Sequence, residues 1–252
     1  MPRPYIMVAP NGARRGKADH PRLPISTAEI VETAKACYAS GAQALHLHIR
    51  DEEGEHSLDA GRYCETLAEL SHQVPVMRVQ ITTEAVGRYS VAQQLSCLQA
   101  VRPEWASIAV REIAREPALA ANLYNLCANQ GTEVQHILYD EADIALLNDW
   151  QARGIVQAQQ DSVLFVLGRY SAGQRSTPDD LMPFRRAMPD AREWMVCAFG
   201  PDEHACLAHA ASQGGALRIG FENSLVDAQG NPHADNAASV AALLGKLQRY
   251  SE

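Results

Sequence analysis

The feature that most constrains the fold is a regular alternation of short apolar segments with longer amphipathic segments along the 252 residues. The short segments have the length and apolar character of β-strands, and the long ones have helical periodicity. The predicted strands are 5–10, 44–51, 76–82, 105–110, 133–139, 162–167, 193–199 and 216–221. The predicted helices are 26–40, 58–71, 91–101, 117–129, 141–153, 178–187, 201–212 and 235–248. One helix therefore follows each strand, eight times in turn.

Apolar strands that alternate with helices require a parallel sheet covered by helices. Eight such units in 252 residues predict an α/β fold, the closed (β/α)8 TIM barrel, formed as a single domain over residues 1–252. A dinucleotide-binding sheet would be expected to carry a G-x-G-x-x-G motif after a strand, and the sequence has none. Because TIM barrels carry their chemistry at the C-terminal ends of the strands, residues there are the functional candidates.

Two histidines stand two residues apart in the second predicted strand. The period of a strand places His46 and His48 on one face, with Leu45, Leu47 and Ile49 on the other. Burying two imidazoles is costly unless another interaction compensates, so the pattern favours a divalent metal. A pair of hydrogen-bonded core histidines is the alternative that this motif leaves open.

The last predicted strand supplies a candidate third ligand. Arg218, Gly220 and Glu222 share one face of it, which places Glu222 at the mouth of the barrel and Arg218 one layer deeper. Two histidines and a carboxylate are typical of a catalytic zinc site or of a non-haem iron or manganese site. Taken alone, Glu222 is equally well explained by a salt bridge at the rim.

Other polar residues follow the predicted strands in the same way. They are Asn11 and Arg14, Arg50 and Asp51, Thr82, Thr83 and Glu84, and Arg111 and Glu112. In the fifth strand either Gln135 or His136 faces the lumen, and Asp51 either bonds a ligand histidine or pairs with Arg50. The six remaining histidines, 20, 56, 72, 204, 209 and 233, fall in loops or helices, so we expect them at the surface.

Composition restricts the kinds of molecule that the protein is expected to bind and the compartment in which it is expected to lie. With 22 basic and 30 acidic side chains the net charge is −8, which argues against general affinity for nucleic acid. The one basic cluster, at residues 14–17, is suited to an anionic carboxylate or phosphate if it lies on a binding face. The six cysteines form no motif, so we expect reduced thiols. We also expect neither a signal peptide nor a membrane-spanning apolar run, and therefore a cytoplasmic protein.

Four segments of the sequence resemble one known family, the β-keto acid cleavage enzymes, whose founding activity is 3-keto-5-aminohexanoate cleavage. The segments are APNGA at 9–13 with DHPRLPIS at 19–26, GAQALHLHIRD at 41–51, QITT at 80–83, and RIGFEN at 218–223. The resemblance covers essentially the whole barrel. It implies a zinc enzyme that condenses a β-keto acid with acetyl-CoA and releases acetoacetate and a new acyl-CoA.

The resemblance also implies roles for individual residues. His46, His48 and Glu222 would bind zinc or another divalent metal. The candidate catalytic residues are Arg218, Asn223 and Thr82, and the candidate substrate-binding residues are Asn11, Arg14, Thr83 and Gln135. Barrels of this kind often assemble, so we expect a homo-oligomer whose partners are a small keto acid and a CoA ester.

Three positions depart from the family pattern. Asn223 stands where relatives commonly have an aspartate base, and Gln135 and Arg14 stand where glutamates are expected. Glu133 is a possible replacement carboxylate, and the C-terminal extension is short. The changes favour a substrate with a negatively charged tail or a weakened reaction. They keep open another metal-dependent carbon–carbon lyase, aldolase or hydrolase acting on a small oxo acid, and a non-catalytic metal- or ligand-binding barrel.

Overall fold

The computed structural model describes residues 3–249, and it confirms the predicted barrel. Eight parallel strands close on themselves in the order β1, β10, β9, β8, β7, β6, β5, β2. They are β1 (Ile6–Val8), β2 (Ala44–Leu47), β5 (Arg78–Thr82), β6 (Trp105–Ala109), β7 (Glu133–Leu138), β8 (Ser162–Leu167), β9 (Trp194–Ala198) and β10 (Ala216–Ile219). That one domain spans 1–252 remains a prediction, and residues 1–2 and 250–252 lie outside the described range.

The helices cover the outside of the barrel. They are α1 (Thr27–Ala39), α2 (Ala60–Gln73), α3 (Val91–Val101), α4 (Val110–Ile113), α5 (Pro117–Gln130), α6 (Glu141–Ala152), α7 (Leu181–Ala187), α8 (Glu203–Ser212) and α9 (Asn236–Arg249). Ser26 and Glu29 form a capping box at the start of α1, and Pro117 occupies the first turn of α5. No described helix combines the length and apolar character that crossing a bilayer requires.

The second predicted strand is interrupted, which is a correction. β2 ends at Leu47, and β3 (Ile49–Arg50) turns away to pair antiparallel with β4 (His56–Ser57). The cause is the buried side chain of Arg50, whose Nε donates to the carbonyl of Gly12 at 3.1 Å and whose guanidinium reaches the carbonyl of Gly54 at 2.8 Å. These bonds take the chain out of the barrel wall directly after His48.

The lumen of the barrel is filled rather than open. Met7, Ala44, Leu164 and Met195 belong to a buried apolar cluster contributed by β1, β2, β8 and β9. A larger apolar layer lies between the strands and the helices. Because the lumen is packed, polar groups that point inward at the C-terminal ends of the strands lie on an apolar floor.

Two of the histidines expected at the surface are buried. His20 accepts a hydrogen bond from the backbone N–H of Arg22 at 3.1 Å, and its other ring nitrogen lies 3.0 Å from the carbonyl of His233. His56 is bonded to the carbonyl of Glu84 at 2.9 Å. Backbone partners bond both ring nitrogens of His20 and Nε2 of His56, which is why loop positions can bury these rings. The six cysteines are free, five of them buried and Cys64 exposed.

Candidate active site

Three metal-ligating side chains meet at the C-terminal end of the barrel. His46 lies in β2, His48 follows it directly, and Glu222 lies in the turn after β10. The two Nε2 atoms are 3.1 Å apart, and each is 3.6 Å from Oε2 of Glu222. Within residues 3–249, this is the one group of three or more His, Cys, Asp or Glu side chains whose donor atoms converge closely enough to hold a metal ion.

A glycine makes room for the carboxylate. Gly12 has a φ of +59°, and a Cβ on it would lie 2.6 Å from Cγ of Glu222. The backbone N–H of Glu222 donates to the carbonyl of Ala9 at 3.1 Å, which ties the turn to the end of β1. Gly12 is therefore required both for its backbone conformation and for the close approach of Glu222.

Two glutamine side chains, linked to each other by a hydrogen bond, orient the ring of His46. Its Nδ1 lies 2.8 Å from Oε1 of Gln80, and Nε2 of Gln80 donates to Oε1 of Gln135 at 3.1 Å. An amide oxygen only accepts, so Nδ1 of His46 carries the proton and Nε2 presents its lone pair to Glu222. Of Gln135 and His136, it is Gln135 that faces the lumen. It supports His46 through Gln80 and lines neither cavity. Gln80 was not recognised as a site residue, although it shares the inward face of β5 with Thr82.

The three side chains have the protonation states that metal binding requires. Burial, with Arg218 nearby, lowers the pKa of His46 to about 4. Burial and the neighbouring His46 lower the pKa of His48 well below its ordinary value. Burial alone would raise the pKa of Glu222, but Arg218 and His46 bring it below its usual value. At neutral pH the imidazoles are therefore neutral and the carboxylate is ionised.

Arg218 lies next to Glu222 with much of its hydrogen-bonding capacity unused. Its side chain is 3% exposed, and one terminal nitrogen is 3.3 Å from Glu222 and 3.4 Å from Sγ of Cys197. Nε and the other terminal nitrogen are buried and have no partner among the described residues. A buried guanidinium with free N–H groups is suited to an anionic ligand.

Two connected cavities open onto this group. The inner one, of about 20 Å³, is lined by His46, His48, Glu222 and Arg218. The outer one, of about 100 Å³, leads towards solvent along Arg14 and Asn11. Glu84, Arg169, Phe199 and Glu222 line both. The cavities thus form one path from the barrel mouth to the candidate ligands.

Glu84 and Arg169 mark the boundary between the two cavities. Burial, with Glu222 close by, raises the pKa of Glu84 to about 7. Neither residue was singled out as a binding residue. Arg169 follows β8 by two positions, so its sequence signal is its place just after the C-terminal end of the sixth barrel strand.

Of the other predicted residues, Thr82, Asn11 and Arg14 line the two cavities, and Thr83 lines neither. Thr82 lines the inner cavity, and its hydroxyl accepts from the N–H of Glu84 at 3.0 Å. The hydroxyl of Thr83 is directed to the carbonyl of Ser107 at 3.4 Å. Asn11 donates to the carbonyl of His48 at 3.1 Å, so it holds the backbone of a candidate ligand. Arg14 lies at the outer edge, 3.8 Å from Glu84.

Asn223 lies behind the cavities and does not line them. Its Nδ2 donates to Oε1 of Glu203 at 3.1 Å and to the carbonyl of Arg218 at 3.2 Å. Glu203 is fully enclosed, and burial raises its pKa to about 8 despite the bonds from Asn223 and from the backbone N–H of Gly220. Asn223 is therefore placed to position β10 rather than to touch a substrate. Glu203 begins α8 and carries no sequence signal of burial.

Two expectations about nearby acids are wrong. Glu133 begins β7 at the opposite end of the barrel, where it pairs with Arg78 at 2.8 Å, so it cannot replace a carboxylate at the mouth. Asp51 neither bonds a ligand histidine nor pairs with Arg50. It accepts from the N–H of Glu55 at 2.7 Å and lies 3.8 Å from Arg88, because the chain turns out of the barrel before it.

Comparison with known protein families identifies the family to which the chain belongs. Residues 4–251 match the family described as beta-keto acid cleavage enzyme. The chain belongs to the beta-keto acid cleavage enzyme family. In this family the chain is 24% identical to the 3-keto-5-aminohexanoate cleavage enzyme of Acetoanaerobium sticklandii, covering 97% of this chain and 92% of that protein. It is 25% identical to the 3-oxoadipate:acetyl-CoA acetyltransferase of Cupriavidus necator, covering 97% and 88%.

Solved structures agree on the fold of this beta-keto acid cleavage enzyme family member. The apo structure of ObcA superimposes with a TM-score of 0.71 at 14% identity, over 92% of this chain and 63% of ObcA. The chain therefore spans less than two thirds of ObcA. The 3-dehydroquinate dehydratase of Geobacillus kaustophilus gives a TM-score of 0.64 at 12% identity, over 100% and 93% of the two chains. These likenesses support the TIM barrel alone.

Proposed function

We propose that the protein is a metal-dependent β-keto acid cleavage enzyme that uses acetyl-CoA as co-substrate. The β-keto acid and acetyl-CoA would exchange acyl groups, so that acetoacetate and the acyl-CoA of the remaining chain are released. Membership of the family and the names of the relatives support the reaction class. The single observation that carries the proposal is the convergence of His46, His48 and Glu222 beside Arg218.

The donor set fits a zinc ion. A tetrahedral zinc ion with bonds of about 2.0–2.2 Å holds its ligand atoms about 3.3–3.6 Å apart. The three donor atoms are separated by 3.1, 3.6 and 3.6 Å. Oε2 of Glu222 is buried without a hydrogen-bond partner among the described residues, as expected of an atom that awaits a cation. His46, His48 and Glu222 would therefore hold zinc, or another divalent metal of similar size.

When bound, the metal would polarise the keto group and stabilise the negative charge that develops as the carbon–carbon bond breaks. The chain's own groups orient the substrate around it. The free N–H groups of Arg218 face the inner cavity, where they can receive the carboxylate of a β-keto acid. Thr82 lines the same cavity, and the Gln80–Gln135 pair fixes the ring of His46.

A second candidate is another carbon–carbon lyase, aldolase or hydrolase on a small oxo acid. The observation that favours it is Asn223, because an amide cannot serve as a base at neutral pH and its Nδ2 is already bonded to Glu203. The two candidates differ in their need for a CoA ester. A non-catalytic barrel that binds metal and ligand is the third.

The test is a panel of β-keto acids with different tails, each incubated with the purified protein with and without acetyl-CoA and analysed by mass spectrometry. We expect acetoacetate and the matching acyl-CoA in equal amounts, formed when acetyl-CoA is present. Turnover without a CoA ester would select the second candidate. Binding of metal and keto acid without turnover of any member would select the third.

The proposal also includes a cytoplasmic location and a homo-oligomeric state. The six cysteines are free thiols, which suits the reducing cytoplasm. The homo-oligomer rests on the frequency with which TIM barrels of this kind assemble. Light scattering coupled to size-exclusion chromatography tests the homo-oligomer, and a mass equal to one chain would contradict it.

A further inference from the structure

Arg169 is nearly buried but makes no hydrogen bond through its guanidinium within residues 3–249. Its side chain is 14% exposed, and its nearest charged partner is Oε1 of Glu84 at 3.9 Å, beyond hydrogen-bonding distance. The guanidinium lies over the ring of Phe199, 4.9 Å from its centroid, which fixes its position. Its N–H donors therefore lie at a cavity wall with no acceptor among the described residues, where an anionic ligand would supply one.

The surroundings of Arg169 carry surplus positive charge. Four guanidinium groups and two carboxylates line the two cavities, and they are Arg14, Arg15, Arg169 and Arg218 with Glu84 and Glu222. This excess favours a ligand with more than one negative charge.

Resting on the proposed function, we propose that Arg169 binds a carboxylate at the far end of the substrate tail, which makes this enzyme selective for β-keto diacids. Arg218 lines the inner cavity and Arg169 lines both the inner and the outer one, so a short molecule that extends from the first into the second would meet a guanidinium at each end. Arg14, at the outer edge, adds a second positive charge near the tail.

The phosphates of acetyl-CoA are the other source of anionic oxygen. They are separated from the reacting thioester by the long pantetheine arm, so they lie far from a thioester at the candidate metal site. Arg169 lines the same cavity as His46 and His48, which limits its partners to groups a few carbons from the reacting centre. The geometry therefore assigns Arg169 to the keto acid rather than to the CoA ester.

A guanidinium of this kind discriminates strongly. A neutral tail would leave Arg169 desolvated and unpaired, whereas a carboxylate would make charge-assisted, bidentate hydrogen bonds to it. We expect kcat/KM for a keto diacid to exceed that for the monoacid of equal chain length by roughly 10- to 100-fold. Arg169→Met should remove this preference, and Arg169→Lys should keep part of it because it retains the charge.

The test compares wild type, Arg169→Met and Arg169→Lys on 3-oxoadipate and 3-oxohexanoate. Arg175→Met is the matched control, because Arg175 is exposed, lies in the same loop and lines neither cavity. Loss of the diacid preference in Arg169→Met, with an unchanged KM for acetyl-CoA, supports the assignment. Equal losses on both acids, or a raised KM for acetyl-CoA alone, would overturn it.

Binding of unreactive acids separates this inference from the reaction itself. Calorimetric titration with adipate and hexanoate needs no turnover. If the panel shows no cleavage, the proposed function fails, and tighter binding of adipate by wild type but not by Arg169→Met still supports the role of Arg169. Equal affinity for the two acids in wild type would refute it.

Discussion

An arginine near each end of the barrel has a different environment: Arg78 is half exposed and fully paired, whereas Arg218 is buried and only partly paired. At the N-terminal end, Arg78 pairs with Glu133 at 2.8 Å and lies over the ring of Trp105 at 4.7 Å. At the C-terminal end, Arg218 is 3% exposed, but its contacts are 3.3 and 3.4 Å long and two of its nitrogens are unpaired. The first arrangement is complete in itself, and the second is incomplete without a ligand.

The comparison distinguishes charged groups that stabilise the fold, such as Arg78, from charged groups whose hydrogen bonds are incomplete without a ligand, such as Arg218. Among the described residues, the carboxyl and guanidinium side chains with a buried unpaired atom are Glu203, Arg218 and Glu222, and all three lie at or behind the mouth. Burying such groups without partners destabilises a protein, so their concentration at one end of the barrel indicates a functional site.

The largest expected effect comes from exchanging each arginine for methionine. Arg218→Met should lower turnover roughly 10²- to 10³-fold, because it removes donors directed at developing charge, while metal stays bound. Arg78→Met should leave turnover near the wild-type rate and lower the free energy of unfolding by about 0–1 kcal/mol, since its ion pair is half exposed. Steady-state kinetics and urea denaturation measure both. Wild-type turnover in Arg218→Met would show that Arg218, like Arg78, has no role in the reaction.

A pH dependence should identify Glu203 as the buried acid behind the mouth. Burial raises its pKa from 4.5 to about 8, so the folded protein keeps a proton that the unfolded chain loses. Its favourable contribution is complete below pH 4.5 and is lost as the pH rises through about 8.

Glu203→Gln cannot titrate, so it should not lose the stability that wild type loses as the pH rises. Between pH 5 and pH 9 the free energy of unfolding of wild type should fall relative to that of Glu203→Gln by on the order of 2–4 kcal/mol. Glu69→Gln, on the exposed face of α2, controls for the loss of one charge. Denaturation at a series of pH values measures the difference. A constant difference across the range would show that Glu203 is ionised in the folded protein.

The smallest effect concerns the glycine that admits Glu222. Gly12→Ala places a Cβ 2.6 Å from Cγ of Glu222 and forces alanine to a φ of +59°. Gly131→Ala has a similar φ of +73° but meets no atom within 4 Å. Each should lower the free energy of unfolding by about 1–2 kcal/mol through the backbone. Gly12→Ala alone should also weaken metal binding, and equal metal affinity in both variants would contradict the close-approach role.

Much of this contrast was predictable from the sequence. Apolar strands alternating with helices predict the barrel, and the inward parity of His46 and His48, with Glu222 at the end of the last strand, predicts their convergence. The same rule places Glu133, the first residue of its strand, at the N-terminal end of the barrel, which excludes it from the mouth.

Other features depend on contacts that no local pattern encodes. The break after His48 requires Arg50 to reach the carbonyls of Gly12 and Gly54. The Gln80–Gln135 support of His46 depends on which side chains meet across the lumen. The position of Arg169 depends on a ring 30 residues further along the chain, at Phe199.

The central claim is that His46, His48 and Glu222 bind one metal ion. The most direct measurement is elemental analysis of purified wild type, His46→Ala, His48→Ala and His136→Ala. His136 is the matched control, because it is equally buried but bonded to the carbonyl of Gln160 at 3.0 Å. The account predicts about one zinc or similar ion per chain in wild type and His136→Ala, and almost none in the other two. Unchanged metal content in His46→Ala and His48→Ala would contradict it.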